Sequence, residues 1–292
     1  MQRVQGDVRL IRSITDDEVA TFWRDGVVAL RGALDPVGVT AMASAVDEAM
    51  HGRESADMTE MAGALDPAGP SAGRGRFRSG IDHWRTRDAF ARFAGVGASS
   101  GVAEAVAALF GHARLRLVED SVLVKEPDTT EATAWHQDAS YFNVDGEHLA
   151  TTWVPLDPAE LATGAMRFVV GSHRSGEVYR PNLFVTDEPI PGTAGESVPD
   201  VDADPARFAI VSFALEVGDL TVHHARTLHA AGPNRHPTLA RRAISIRYAG
   251  DDVVIHHRPG TVAKPWQIGV ADGAALGGEH PVVWPPSAAI RA

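Results

Sequence analysis

RLRLVEDSVLVKE, residues Arg114 to Glu126, is where this chain of 292 residues changes texture. Leu115 and Leu117 alternate with arginines, and Val122 and Val124 continue an apolar series with no helix breaker between them. That is the pattern of a strand with two differently used faces. Similar runs follow in ATTWVPLD (150–157), AMRFVVG (165–171), FAIVSFALEVGDLTVHH (208–224) and RRAISIRYAG (241–250), separated by Gly, Pro, Asp and Asn. No long helical pattern separates them, so an antiparallel sandwich or barrel is expected, not a parallel α/β sheet. Residues 171–208 are rich in Pro, Gly, Asp and Glu and are too long for a tight turn. They read as a loop insertion near a site entrance.

Upstream of Arg114 the signals are helical. Thr15 and Glu18 form a capping-box pattern ahead of Val19, Phe22 and Trp23, and Gly26 is the stop. DPVGVTAMASAVDEAM (35–50) has Pro36 in its first turn, and SSGVAEAVAALFG (99–111) ends on Gly111. The expected organisation is one domain. About 1–112 would give mostly helical support and the entrance, about 113–255 a strand-rich core, and about 256–292 a C-terminal extension.

Composition narrows the function. A formal net charge of -11 disfavours nucleic acid as a partner, because duplex binding rests on clustered Lys and Arg. With no cysteine, any metal site must be built from His and carboxylates. There is no secretory apolar segment at the start and no apolar run long enough to span a bilayer, so neither secretion nor a membrane is expected. The expectation is a cytoplasmic protein.

WHQDASYF (135–142) then carries the chemistry. On a strand, residues two apart share a face, so His136 and Asp138 can present an imidazole nitrogen and a carboxylate oxygen to one point, with Gln137 facing away. A third ligand lies in GDLTVHHARTLHAAGPN (218–234), where His223, His224 and His229 all compete. Two His and one carboxylate leave positions open on an octahedral metal, as in non-haem Fe(II) oxygenases, whereas a structural zinc site is closed by four ligands. Downstream, Arg241 and Arg242 open a strand on which one of the two must look inward, where a guanidinium can grip a carboxylate.

LVKEP (123–127), WHQD with YF, TTWVPLD (151–157), the GSH turn (171–173), LHAAGPN (228–234) and RRAIS (241–245) occur in an order and spacing that resemble the phytanoyl-CoA dioxygenase family, over about residues 15–250. The resemblance implies a double-stranded β-helix, that is, a cupin-like jelly roll with flanking helices. It implies a dioxygenase that uses Fe(II) and 2-oxoglutarate with O2 to hydroxylate an unactivated C–H bond of a small molecule, releasing succinate and CO2. His136, Asp138 and His229 would be the iron ligands and Arg241 the anchor of the distal carboxylate of 2-oxoglutarate. Trp153 and Ser121 match positions near that co-substrate. Arg78 matches a basic co-substrate residue, although Ser79 fits the same register.

The chain departs from the family pattern in three places. Thr163-Gly164 stands where Asn-Gly is common, Ala231 stands where a hydroxyl often helps to hold 2-oxoglutarate, and an extra residue before Arg241 leaves Arg242 as an alternative anchor. The carboxylate of Asp138 argues against halogenation, because related halogenases have a small residue there. Three rival readings remain: a non-redox metal enzyme on a cupin-like fold, a silent binding protein, and an oxygenase of carrier-bound or CoA-ester substrates. The last differs only in its entrance, and the net acidity disfavours docking on an acidic carrier.

Other features have a functional and a plain reading. GRGRFRSGIDHWRTRD (73–88) has five arginines, of which Arg74, Arg76 and Arg78 alternate, and is either an anion-binding patch or a solvated edge. Lys125 reads as a strand-end pairing residue, and His256 and His257 as surface or packing residues. Tyr141 and Phe142 read as pocket wall or core.

Overall fold

The computed structural model describes residues 4–52, 55–65 and 75–287. The helices are α1 (Asp16–Asp25), α2 (Pro36–Thr40), α3 (Ala43–Met50), α4 (Met58–Leu65), α5 (Asp88–Ala94) and α6 (Gly101–Leu109). The strands are β1 (Val27–Leu30), β2 (Ser55–Asp57), β3 (Phe77–Ile81), β4 (Leu115–Lys125), β5 (Thr133–His136), β6 (Val144–Asp145), β7 (Leu149–Pro155), β8 (Met166–Val169), β9 (Ile210–Ser212), β10 (Leu220–His224), β11 (His229–Ala231), β12 (Arg241–Ala249), β13 (Val254–Ile255) and β14 (Val282–Trp284).

The large antiparallel sheet runs β1-β10-β7-β12-β4-β3-β2, with β14 also paired to β4. A smaller sheet runs β5-β11-β8-β9, and β13 pairs with β6. The structure is thus mainly β with flanking helices, consistent with the expected jelly roll. Alternation along β12 separates its two faces. Ile244, Ile246 and Tyr248 join the helical residues Phe22, Phe93 and Val106 in one apolar core, while Arg241, Ser245 and Arg247 line an internal cavity. The helices therefore seal one side of the sheet and leave the other to the site.

The capping box at Thr15 is formed in full, and α1 ends on Gly26 in the left-handed region at φ 77. Three expectations change. Residues 35–50 form two short helices instead of one, since Gly38 and Thr40 weaken the helix before Ala43 restarts it. Residues 208–224 divide into β9 and β10, the second opening just after the turn that Gly218 and Asp219 predict. The front third, expected to be mostly helical, also supplies β1, β2 and β3, and the C-terminal extension supplies β14. These strands are too short for their alternation to stand out beside strong helix signals. No helix among the described residues is long and apolar enough to cross a membrane.

Candidate active site

His136 ends β5 and His229 opens β11, and the two are register partners across the small sheet. Gln137 stays extended, so Asp138 emerges on the side of His136 at the start of a single 3-10 turn. Gln137 faces away, donating to the carbonyls of Glu177 and Arg226 and accepting from the Tyr179 N–H. Ligand atoms of His136, Asp138 and His229 lie within 4.8 Å of one another, all buried. Each histidine Nε2 is 3.9 Å from Asp138 Oδ1.

The second ring nitrogens test whether a metal fits. His136 Nδ1 donates to the Ala134 carbonyl at 2.7 Å and His229 Nδ1 to the Thr227 carbonyl at 2.9 Å. A carbonyl only accepts, so the proton sits on Nδ1 and both Nε2 lone pairs are directed at the carboxylate, the tautomer that metal-bound imidazoles adopt. Burial pushes the His136 and His229 pKa values down, that of His229 well below its ordinary value, which keeps both rings neutral. Burial alone would push Asp138 up. Arg247 and the neighbouring imidazoles outweigh it and hold the carboxyl well below the usual range. Two neutral nitrogens and an anionic oxygen form a donor set suited to a divalent ion.

Asp138 is fixed by two residues that sequence reasoning did not single out. Thr151 Oγ1 donates to Oδ2, and Arg247 Nη2 lies 3.4 Å from Oδ1. Arg247 Nη1 in turn donates to Ser121 Oγ at 2.5 Å. Arg247 was legible in principle, because it shares the inward face of β12 with Arg241, six residues on.

His223 stands beside the triad without completing it. Its Nε2 is 3.4 Å from Asp138 Oδ2, on the opposite oxygen from the paired Nε2 atoms of His136 and His229. His224 turns the other way, with Nε2 against the Glu147 carbonyl, and burial pushes it down to about 4.

The two arginine candidates separate cleanly. Arg242 points outward to Asp157 at 2.7 Å and Asp47 at 3.1 Å. Arg241 is 2% exposed and lines the cavity of the triad, with its guanidinium carbon 5.6 Å from the ring centre of Trp153. Its protein hydrogen bond goes to the Leu123 carbonyl, its Nε has no partner, and no carboxylate is in ion-pair reach of it among the described residues. Burial draws it down to about 10 despite the pull of Asp157.

Ala231 also lines this cavity. Beside it, the fully buried Lys125 donates to the Gly232 carbonyl at 2.7 Å. Burial, and then Arg241, lowers the pKa of Lys125 well below its ordinary value. Gly164 keeps its turn at φ 83, and a Cβ there would come within 2.7 Å of the Gly232 carbonyl.

A second, larger cleft opens outward from the triad, sharing Leu123, Asp138, Phe184 and Arg247 with the inner cavity. Phe184 comes from the long polar segment and is held at φ 70, a conformation that bulky residues rarely adopt, by the Asn182 side chain, to which Tyr141 also donates. Tyr141 and Phe142 both line this cleft. Ser121 opens onto it, not onto the inner cavity.

Arg78 is brought to neither cavity. Strand alternation in β3 gives the cleft to Ser79 and Ile81, and the Arg78 guanidinium lies 3.9 Å from Asp57 at the rim. Arg76 also pairs with Asp57, at 3.2 Å, and Arg74 lies outside the described residues. His257 pairs with Asp272 on the surface.

With this geometry in view, comparison with known proteins gives the lineage. The family model for phytanoyl-CoA dioxygenase matches residues 22–243. The chain belongs to the phytanoyl-CoA dioxygenase family. A probable alpha-ketoglutarate-dependent hypophosphite dioxygenase of Stutzerimonas stutzeri is 34% identical over 127 residues, which are 44% of this chain and 43% of that protein. A phytanoyl-CoA dioxygenase of Arabidopsis thaliana is 23% identical over 151 residues, 50% of this chain and 49% of the relative. The matched stretch thus spans about half the length of these curated relatives.

Among solved structures, the epimerase SnoN in complex with Fe3+, alpha ketoglutarate and nogalamycin RO is 27% identical, with a TM-score of 0.68 over 92% of this chain and 98% of that one. The carbocyclase SnoK, at 20% identity and a TM-score of 0.69, covers 91% of this chain and 94% of its own and shows the shared fold.

Proposed function

We propose that the chain is an Fe(II)- and 2-oxoglutarate-dependent dioxygenase that hydroxylates an unactivated C–H bond of a small molecule, with O2 as oxidant and without nucleic acid or membrane as partner. A reducing cytoplasm is its compartment under the same proposal, which the cysteine-free sequence favours. The observation that carries the reading is the conjunction of an open three-ligand site with Arg241, a buried guanidinium that lacks a carboxylate partner on the wall of the same cavity. An unpaired buried cation is costly, and a dicarboxylate co-substrate satisfies it. A non-redox metal enzyme has no use for that group.

His136, Asp138 and His229 would hold the iron. When bound, Fe(II) with 2-oxoglutarate supplies the O2 activation that couples loss of CO2 and formation of succinate to oxidation of the substrate. Thr151 and Arg247 keep Asp138 ionised and oriented, so that one oxygen faces the histidines. Arg241 anchors the distal carboxylate of the co-substrate, with Trp153 closing the wall beside it. Leu123 and Phe184 stand between the inner cavity and the outer cleft and limit water between co-substrate and substrate.

Anaerobic titration with Fe(II) and then 2-oxoglutarate tests this reading. A visible charge-transfer band that saturates at one iron per chain is expected, followed in air by succinate formation that a substrate stimulates. Binding of iron without any effect of 2-oxoglutarate would overturn the proposal in favour of the non-redox alternative.

A further inference from the structure

The outer cleft holds about 510 Å³, within the range of roughly 300–1,000 Å³ typical of sites for drug-sized ligands. Met58, Ile81, Phe142, Phe184, Val262 and Pro265 make most of its wall apolar. Its charged lining groups are Glu119, Asp138, Arg247 and Lys264, and the two cations are already engaged. Lys264 Nζ lies 2.8 Å from Glu119 Oε2 and also contacts Asp82 Oδ2. Arg247 lies 3.4 Å from Asp138 and 3.9 Å from Glu119. Burial keeps the Glu119 carboxyl above its ordinary pKa, with Arg247 and Lys264 opposing. Among the described residues, both cations on this wall thus already face carboxylates, and of their donors only the Nε of Arg247, itself buried, has no hydrogen-bond partner. Ser79, Ser121 and the Tyr141 hydroxyl are the neutral polar groups available for orientation.

We propose that the primary substrate is an uncharged, largely apolar molecule of roughly 20 non-hydrogen atoms, taking about 20–30 Å³ for each. It is neither a small oxyanion nor a CoA thioester. An oxyanion of three heavy atoms would occupy roughly a fifth of the cleft or less on the same scale, and it would be desolvated beside Glu119 with both cations already facing carboxylates. A CoA ester, with roughly 50 or more non-hydrogen atoms, exceeds the cleft on the same scale. The oxidation of this molecule rests on the dioxygenase reading, but its binding does not.

Two measurements test the proposal. The first titrates Nile red, a neutral apolar dye, into metal-free protein and into Ile81→Trp and Ala263→Trp, two variants that fill the cleft from separate segments of the chain. Saturable binding to the parent protein is expected, weakened at least tenfold in each variant, with the charge-transfer band formed by Fe(II) and 2-oxoglutarate unchanged. The second measures succinate formation with hypophosphite and with a branched-chain acyl-CoA, each of which should leave it at the rate seen without substrate. Dye affinity unaffected in both variants, or saturable succinate formation with either anionic compound, would overturn the proposal. Loss of the charge-transfer band in the parent protein refutes the dioxygenase reading alone, because dye binding is read without it.

Discussion

Replacing Arg241 with Met should do two opposite things. In the ligand-free protein the guanidinium is buried with one hydrogen bond, to the Leu123 carbonyl, and an unpartnered Nε. Its drop from the ordinary guanidinium value to about 10 corresponds to roughly 3 kcal/mol of unfavourable burial, at about 1.4 kcal/mol per tenfold change in acidity. A methionine of similar reach removes that penalty and packs against Trp153, so Arg241→Met should raise the stability of the ligand-free protein by about 1–3 kcal/mol, as when other buried charges are replaced by apolar residues. The same change strips the co-substrate carboxylate of a charge-assisted hydrogen bond, a loss of about 1.5–3 kcal/mol, or roughly 10- to 150-fold in 2-oxoglutarate affinity. Urea unfolding with and without excess 2-oxoglutarate reads both effects, since a ligand stabilises by the logarithm of one plus its concentration over Kd. Arg242→Met is the control. It breaks a part-buried pair with Asp157 and a more exposed contact with Asp47, lowers stability, and leaves 2-oxoglutarate binding alone. A ligand-free Arg241→Met protein that is less stable than the parent, or that binds 2-oxoglutarate equally well, refutes the view of Arg241 as an unpaired anchor.

Three further outcomes are expected. His229→Ala should abolish Fe(II) binding in equilibrium dialysis, whereas His223→Ala, which leaves the three ligands in place, should retain it; equal loss in both would remove His229 from the site. Asp138→Gly should fold but lose iron and oxygenation, and turnover of the parent protein in excess chloride should give no chlorinated product by mass spectrometry. Asp120, raised to about 7 by burial, with the Trp84 N–H opposing and Asp82 and Glu119 adding to the rise, binds its proton more tightly folded than unfolded. Stability from this group is full below about pH 4 and falls as the pH rises through 7, by roughly 4 kcal/mol in total. Asp120→Asn should flatten the urea midpoint between pH 5 and 8 and raise it at pH 8; a steeper loss of stability in the variant would contradict the assignment.

Part of the candidate metal site was legible in the chain because its geometry is local. His136 and Asp138 are two residues apart, and strand alternation alone sets them side by side. The choice among His223, His224 and His229 was not local, since it depends on β11 pairing with β5 in a register that only the folded small sheet defines. Arg241 and Arg242 could be told apart only once the helices had claimed the Ile244 face of β12. Arg78 and Ser79 fit the family register equally well, and only the face that β3 presents, with Ser79 on the cleft and Arg78 off it, separates them. Arg247 escaped notice because its partner Asp138 is 109 residues away.

The match to the family model ends at residue 243, yet the far wall of the outer cleft comes from Val262, Ala263, Lys264 and Pro265. That wall is clasped to the barrel by the Lys264 contacts with Asp82 and Glu119, and none of its residues belongs to the iron triad. The cleft is thus a composite: Met58, Ile81, Phe142 and Phe184 come from within the family match, and one wall comes from the chain that follows it. Substitutions in Val262, Ala263 and Pro265 therefore alter one wall of the cleft without touching His136, Asp138 or His229. The same division makes this strap a natural graft, to be exchanged between relatives by an engineer who wants a new substrate from an old barrel.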